Sequence, residues 1–315
     1  MSQGTVMQAV GDDLAPGSWP SRLFGYDVLD LMGTGAGSRV YAVSDPDTGQ
    51  LYVLKHVTVR APKDERFVTQ LETEYHVGRQ LAHPALRRSI DLKVTRSLLR
   101  RPLEAALVLE LFDGSPIEFV LPGTVAEIVR LFRDAADALA ALHKGGFVHC
   151  DLKPGNILMS GDGRVKLIDF GQACRIGTTK QRIQGTPDFI APEQVKCRAC
   201  TPQTDVYSLG ATMYWALTRQ KMPTLYTVKQ GHNSFLLDAK IPPPHEIKAS
   251  VPEALSNFVM ECVRTDPARR PSSMADVARR LDVLHFAATR ANRSLRPSVN
   301  AGPGETLRGV AVAVA

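Results

Sequence analysis

The chain has 315 residues, 44% hydrophobic and 22% charged, which is the composition of a soluble globular protein with room for two modest lobes or one large domain. No apolar run approaches the roughly 20 residues that span a bilayer, and the start MSQGTVMQAVGDD lacks the basic and apolar regions of a secretory signal. The net charge is +6, and Arg290, Arg293, Arg296 and Arg308 against Glu305 place about half of it near the C-terminus, as expected of a solvated basic tail.

Residues 1–20, rich in Gly, Pro, Asp and Ser, read as a flexible leader. From Tyr26 the pattern becomes strand-like: Val28, Leu29 and Leu31 lead into a glycine cluster, then Val40–Val43, an Asp-Pro-Asp-Thr-Gly turn at 45–49, and Leu51–Leu54. Phe67, Leu71, Tyr75 and Leu81 have helical spacing over 65–81. Ile90, Leu92 and Val94 alternate with polar residues, and Ala105–Leu111 is a near-continuous apolar strand. Beyond Gly114 the character changes. Apolar residues at 125, 128, 129, 132, 136, 139 and 142 predict a long amphipathic helix, with further helices at 204–218, 252–264 and 273–287. Strands and helices are segregated, so the expected class is α+β: a strand-rich small lobe over 21–112 with one main helix, a mostly helical lobe over 113–290, a cleft between them, and a disordered basic tail over 291–315.

Five cysteines (Cys150, Cys174, Cys197, Cys200, Cys262) form an odd, sparse set that fits a reducing cytoplasm. Cys197 and Cys200 have C-x-x-C spacing, but no second pair completes a metal site, so they read as incidental loop thiols. Arg87, Arg88, Arg96, Arg100 and Arg101 read as a solvated basic face, and no nucleic-acid partner is expected.

The chemistry begins at Gly33-Thr34-Gly35-Ala36-Gly37-Ser38-Arg39-Val40, which fits G-x-G-x-x-G-x-V with Ser38 at the third glycine. Glycines let backbone N–H groups approach phosphate oxygens. The cluster sits between two strands, whereas a dinucleotide fold would place it between strand and helix. Lys55 ends the next strand, and Glu74 and Glu72 lie on the helix that follows. The strongest segment is His149-Cys150-Asp151-Leu152-Lys153-Pro154-Gly155-Asn156-Ile157-Leu158, followed by Asp169-Phe170-Gly171, Ala191-Pro192-Glu193, Asp205 and Arg270-Pro271.

This ordered set, covering about residues 22–287, resembles a eukaryotic-type serine/threonine protein kinase, and it implies the bilobal kinase fold. By that resemblance ATP lies in the cleft, with Mg²⁺ or alternatively Mn²⁺ held by Asn156 and Asp169 through hard oxygens. The resemblance makes Lys55 paired with Glu74 the clamp on the α- and β-phosphates, the spacing to His83-Pro84 favouring Glu74 over Glu72. It makes Asp151 the residue that takes the substrate hydroxyl proton, Lys153 the γ-phosphate contact, and Thr186 their hydrogen-bond partner. The adenine is expected against Val40, Val53, Leu109 and Leu158, its edge on the backbone of Glu110 and Phe112. Glu193 with Arg270 is the expected structural ion pair, and Asp205 the anchor of the catalytic-loop backbone.

The sequence departs from this family in several places. Cys150 replaces the arginine that pairs with a phosphorylated activation loop, so independence from phosphorylation at Thr178 or Thr179 is expected. Val53 stands where alanine is usual. Gly78 lies one turn after Glu74 inside the helix, at a cost of roughly 1 kcal/mol relative to alanine; two readings stay open, a regulatory protein or ligand that steadies the helix and a position where a small residue is tolerated. Protein substrates bearing Ser or Thr are the expected partners. Two other readings, a scaffold that has lost catalysis and a small-molecule kinase, are disfavoured because Lys55, Asp151, Asn156 and Asp169 are all present, as are Lys153-Pro154 and Ala191-Pro192-Glu193.

Overall fold

The computed structural model describes residues 19–35, 37–222, 227–229, 232–234 and 241–294. Ala36, nearly all of the leader and the tail beyond Ser294 lie outside the described residues.

The N-terminal part is a six-stranded antiparallel sheet in the order β1-β2-β3-β4-β6-β5. Its strands are β1 (Arg22–Leu23), β2 (Tyr26–Thr34), β3 (Arg39–Ser44), β4 (Leu51–Thr58), β5 (Ser89–Arg96) and β6 (Pro102–Glu110). The run Ala105–Leu109 on β6 is apolar without alternation because both its faces are covered. Ala105, Leu107 and Leu109 pack with Val53, Val57, Val68 and Leu71 beneath helix α1 (Glu65–Gln80). Ala106 and Val108 face the opposite cluster of Tyr26, Tyr41, Val43 and Leu54.

Helix α1 turns a slightly different face to the core than the apolar spacing suggests. Val68, Leu71, Glu74, Val77 and Gly78 are buried, and Phe67 and Tyr75 flank that stripe half-buried. A carboxylate on the buried stripe is what the period alone would not place there.

Gly78 has a local cause. A Cβ at this position would come within 2.4 Å of Ser89 Oγ, 3.0 Å of Ser89 N and 3.1 Å of Arg87 O, while Ser89 donates its hydroxyl to Glu74 O at 3.0 Å. The helix approaches the start of β5 too closely for any side chain, so packing alone accounts for the glycine. Gly78→Ala is expected to lose about 1–3 kcal/mol of stability in chemical denaturation, because overpacking against backbone outweighs the roughly 1 kcal/mol gained in helix propensity. A neutral or stabilised variant would show that β5 can retreat.

The C-terminal part carries a three-stranded sheet of β7 (Ser115–Pro116), β9 (Ile157–Met159) and β10 (Val165–Leu167), and a two-stranded pair of β8 (Phe147–Val148) and β11 (Cys174–Arg175). Its helices are α2 (Val125–Lys144), α3 (Pro192–Val195), α4 (Pro202–Thr218), α5 (Pro244–Ile247), α6 (Glu253–Cys262) and α7 (Met274–Ser294), with a short hairpin of β12 (Thr227–Lys229) and β13 (His232–Ser234). Thr124 and Glu127 form a reciprocal capping box that starts α2. Helix α4 is buried along nearly its whole length, and α2 packs against α7. The large core around α2, α4, α6 and α7 also takes in Val77, Leu86 and Phe170, so one continuous apolar body joins the two parts. Among the described residues no helix is long and apolar enough to cross a membrane.

Candidate active site

Lys55 lies near the end of β4, opposite Leu107 of β6 and Val40 of β3. Its ammonium reaches Glu74 Oε2 on α1 at 2.9 Å and Asp169 Oδ1 at 3.0 Å. Burial alone would drag the lysine pKa down, but the two carboxylates overcome it and the pKa is raised. Glu74 is buried, and that burial pushes its pKa up against the pull of Lys55. Glu72 points elsewhere, to an exposed contact with Arg96 at 3.3 Å.

Asp169 and Cys150 are non-glycine residues in the left-handed region, with φ of 64° and 65°. Such backbone costs on the order of 1–3 kcal/mol and persists only where surroundings enforce it. For Cys150 the enforcing group is Asp205 of α4. It accepts from His149 N at 2.8 Å and Cys150 N at 3.0 Å, and pairs with His143 Nε2 at 2.8 Å. Burial would raise the Asp205 pKa, but these contacts lower it, so a carboxylate charge is retained in the core. Beyond Asp169, Phe170 is buried and packs edge-on to His149, with ring centres 5.5 Å apart.

Asp151 accepts from Thr186 Oγ1 at 2.9 Å on one oxygen, and Lys153 Nζ lies 3.6 Å from the other. Asn156 donates its amide to Asp151 O at 2.8 Å, which leaves its own amide oxygen uncommitted by that bond. Four separate segments therefore meet: β4, α1, the loop after β8, and the turn after β10.

Of the residues expected around a nucleotide, Val53 and Leu109 are cross-strand neighbours on β4 and β6, and both are buried. Leu158 is buried on β9, and Val40 is half-buried on β3. Gly33 and Thr34 end β2, Gly35 N donates to Ser38 O at 2.7 Å, and Gly37 lies so close to Phe67 that no Cβ fits there. Phe112 turns its ring toward Arg164 and Lys166. Glu110 sends its carboxylate to Lys166 Nζ at 2.8 Å and accepts from Arg88 N at 3.1 Å.

Arg87 is not on a solvated face, contrary to the sequence reading. It is buried between Leu86 and Ser89, and its Nε donates to Glu110 O at 3.0 Å. Glu74, Glu110 and Asp169 supply the negative field that burial makes necessary. Nothing local in the sequence marks it, since an arginine paired with Arg88 looks like surface. Glu193 and Arg270 form a buried bidentate pair at 2.8 and 2.9 Å. Gln194, not singled out from sequence, donates to Cys150 O at 2.8 Å and Gln184 O at 3.2 Å, joining the loop after β8 to the segment before Thr186.

The family model described as "Protein kinase domain" matches residues 26–281. The chain belongs to the protein kinase family. Serine/threonine-protein kinase PknK of Mycobacterium tuberculosis is 31% identical over 284 residues, which cover 85% of this chain and 24% of PknK. PknL of Mycobacterium bovis is 31% identical over 264 residues, covering 78% of this chain and 62% of PknL. PknA of Mycobacterium tuberculosis is 30% identical over 291 residues, covering 89% of this chain and 64% of PknA. The chain thus spans less than two thirds of each of these relatives. Membership in the protein kinase family implies use of ATP and a divalent metal. Within a protein kinase, Asp169 and Asn156 offer a carboxylate and an amide oxygen, a donor set suited to a hard divalent cation.

Proposed function

We propose that the chain is an ATP-dependent protein serine/threonine kinase, and that the Lys55 ammonium bridging Glu74 and Asp169 is the observation that carries this reading. Phosphoryl transfer asks a protein for positioning and charge compensation more than for covalent chemistry. Lys55, held by Glu74, presents its ammonium to the α- and β-phosphates. Asp169 and Asn156 hold Mg²⁺, which when bound neutralises phosphate charge. Asp151 orients the substrate hydroxyl and takes its proton, with Thr186 fixing one carboxylate oxygen. Lys153 faces the transferred phosphate. The adenine lies between Val40, Val53, Leu109 and Leu158, meeting the backbone at Glu110 and Phe112; a carbonyl has two lone pairs, so Glu110 O can serve Arg87 and a base amine together. The glycine-rich stretch of Gly33, Thr34, Gly35, Gly37 and Ser38 covers the phosphates.

The names of the relatives favour serine and threonine as acceptors, with autophosphorylation expected. The lobes divide near residue 112, and the α1 helix that carries Glu74 is where a regulatory protein would act. The cysteine set favours a cytoplasmic setting. The test is incubation with Mg-ATP and protein substrates, with phosphosites mapped by mass spectrometry, beside Asp169→Asn. Phosphate on serine or threonine with wild type alone supports the reading. Nucleotide binding without transfer to any substrate or to the chain itself would turn it into a scaffold.

Cys150 brings no positive charge to the activation segment, and that segment is already tied down by Gln194 and by Lys180 Nζ donating to Gln172 O at 2.5 Å. Alanine at both Thr178 and Thr179 is therefore expected to leave activity within about threefold of wild type, a change under roughly 1 kcal/mol in barrier. A kinase assay in which the double variant is folded and inactive would overturn that independence.

A further inference from the structure

The side chain that replaces the arginine before Asp151 does not end in an inert apolar gap. Cys150 Sγ lies 3.5 Å from Cys174 Sγ, and the thiols of Cys150, Cys174 and Cys200 all fall within 4.8 Å of one another. They are the only such metal-competent cluster among the described residues. Cys150 and Cys200 are buried and pack with Val148, and Cys174 is half-buried at their edge. The sequence offered only the Cys197 and Cys200 pair as a half-site. Cys197 is not in the cluster, and the fold instead brings Cys200 to sulfurs far away in the chain.

We propose that Cys150, Cys174 and Cys200 form a thiolate binding site for zinc(II), which staples the catalytic loop to the activation segment. Two sulfurs bound at 2.3 Å to a tetrahedral zinc lie about 3.8 Å apart. The separations here need shifts of an ångström or less to reach that. Soft sulfur donors select a thiophilic cation over magnesium. Three protein ligands leave a fourth position for solvent or an outside donor. No redox step is involved: each thiol that binds gives its proton to solvent, so uptake weakens as the pH falls.

The three ligands sit on segments that must be mutually placed around Asp151. Cys150 precedes it. Cys174 lies on β11, paired with Val148 of β8. Cys200 N donates to Thr178 O at 2.8 Å and Gly177 N donates to Cys200 O at 2.8 Å, so the third ligand is already bonded to the activation segment. Where other kinases in the resemblance use an arginine and a phosphate, this chain has sulfurs that a metal can join.

The experiment uses the full chain purified with reductant, then freed of reductant under argon. Zinc is titrated against a chromophoric chelator, and cobalt(II) replaces it for spectroscopy. The expected result is one zinc per chain and a thiolate-to-cobalt charge-transfer band. Cys174→Ser and Cys200→Ser are each expected to weaken zinc by at least the roughly 10–100-fold that even an outer-shell loss costs, while Cys197→Ser keeps wild-type affinity. A readout free of folding effects is alkylation of the wild type, where zinc should protect Cys174 and leave Cys197 reacting at its usual rate. The proposal fails if Cys174 is unprotected, if zinc binds Cys174→Ser and Cys200→Ser as it binds wild type, or if the thiols are found joined as a Cys150–Cys174 disulfide that takes up no metal after reduction.

Discussion

Asp151→Asn is expected to lower kcat by about 10²–10⁴-fold, with the KM for ATP and the unfolding transition close to wild type. The substitution is isosteric and removes only the charge and the proton-accepting oxygen. The retained carbonyl oxygen can still accept from Thr186 Oγ1, now 2.9 Å from Asp151 Oδ1, and the backbone oxygen still receives Asn156 at 2.8 Å. Ground-state binding is thereby spared and the loss falls in the chemical step, equivalent to about 3–5 kcal/mol of barrier. Asp169→Asn is expected to behave differently. Asp169 contacts Lys55 at 3.0 Å and is proposed as a metal ligand, so nucleotide affinity in the presence of magnesium should fall along with turnover. Measuring kcat and KM separately for both variants distinguishes the roles. Asp151→Asn retaining activity within tenfold would remove Asp151 from proton transfer.

The parts of the site that could be read from sequence are those on the ordered motifs that carry the kinase resemblance. Lys55 with Glu74, Asp151 with Asn156, and Asp169-Phe170-Gly171 fall on segments where a few residues fix the geometry, and the structure brings Lys55, Glu74 and Asp169 into direct contact. The β-strand pattern of 26–58 and the α2 helix were equally plain, because period and capping residues agree there. What escaped the sequence depends on approaches between distant segments. Arg87 looked solvated because it stands beside Arg88 in a basic stretch; only the fold shows that it donates to Glu110 O and lies in the field of the Glu74, Glu110 and Asp169 carboxylates. Gly78 looked like a weak point in a helix because the Ser89 backbone it accommodates lies on another element. Cys200 looked incidental because its sulfur neighbours are 50 and 26 positions away in the chain, by the numbering of Cys150 and Cys174.

The second large effect concerns stability. Arg270→Met is expected to cost about 3–5 kcal/mol in chemical denaturation, about a fifth or more of the stability of an ordinary domain. Arg270 uses all five of its N–H donors. Two go to Glu193 at 2.8 and 2.9 Å, and the others to Gln203 O at 2.7 Å, Arg264 O at 2.7 Å and Thr265 O at 3.3 Å. Its side chain is 0% exposed. Methionine fills comparable volume but withdraws a donor from three carbonyls and leaves a buried Glu193 with only Thr204 Oγ1, at 3.0 Å, among those contacts. Lysine at 270 keeps the charge but cannot reproduce the planar fork, so Arg270→Lys should fall between wild type and methionine. The double variant Glu193→Leu with Arg270→Met should recover part of the loss, because it removes the stranded carboxylate. That pattern would separate the cost of an unpaired charge from the cost of the lost hydrogen bonds. Since α3 also carries Gln194, which holds Cys150 O, loosening Glu193 should reach the backbone beside Asp151 and lower activity before the chain unfolds. A loss below about 1 kcal/mol for Arg270→Met would mean that water reaches Glu193 and solvates it, and the pair would then be a surface contact in effect.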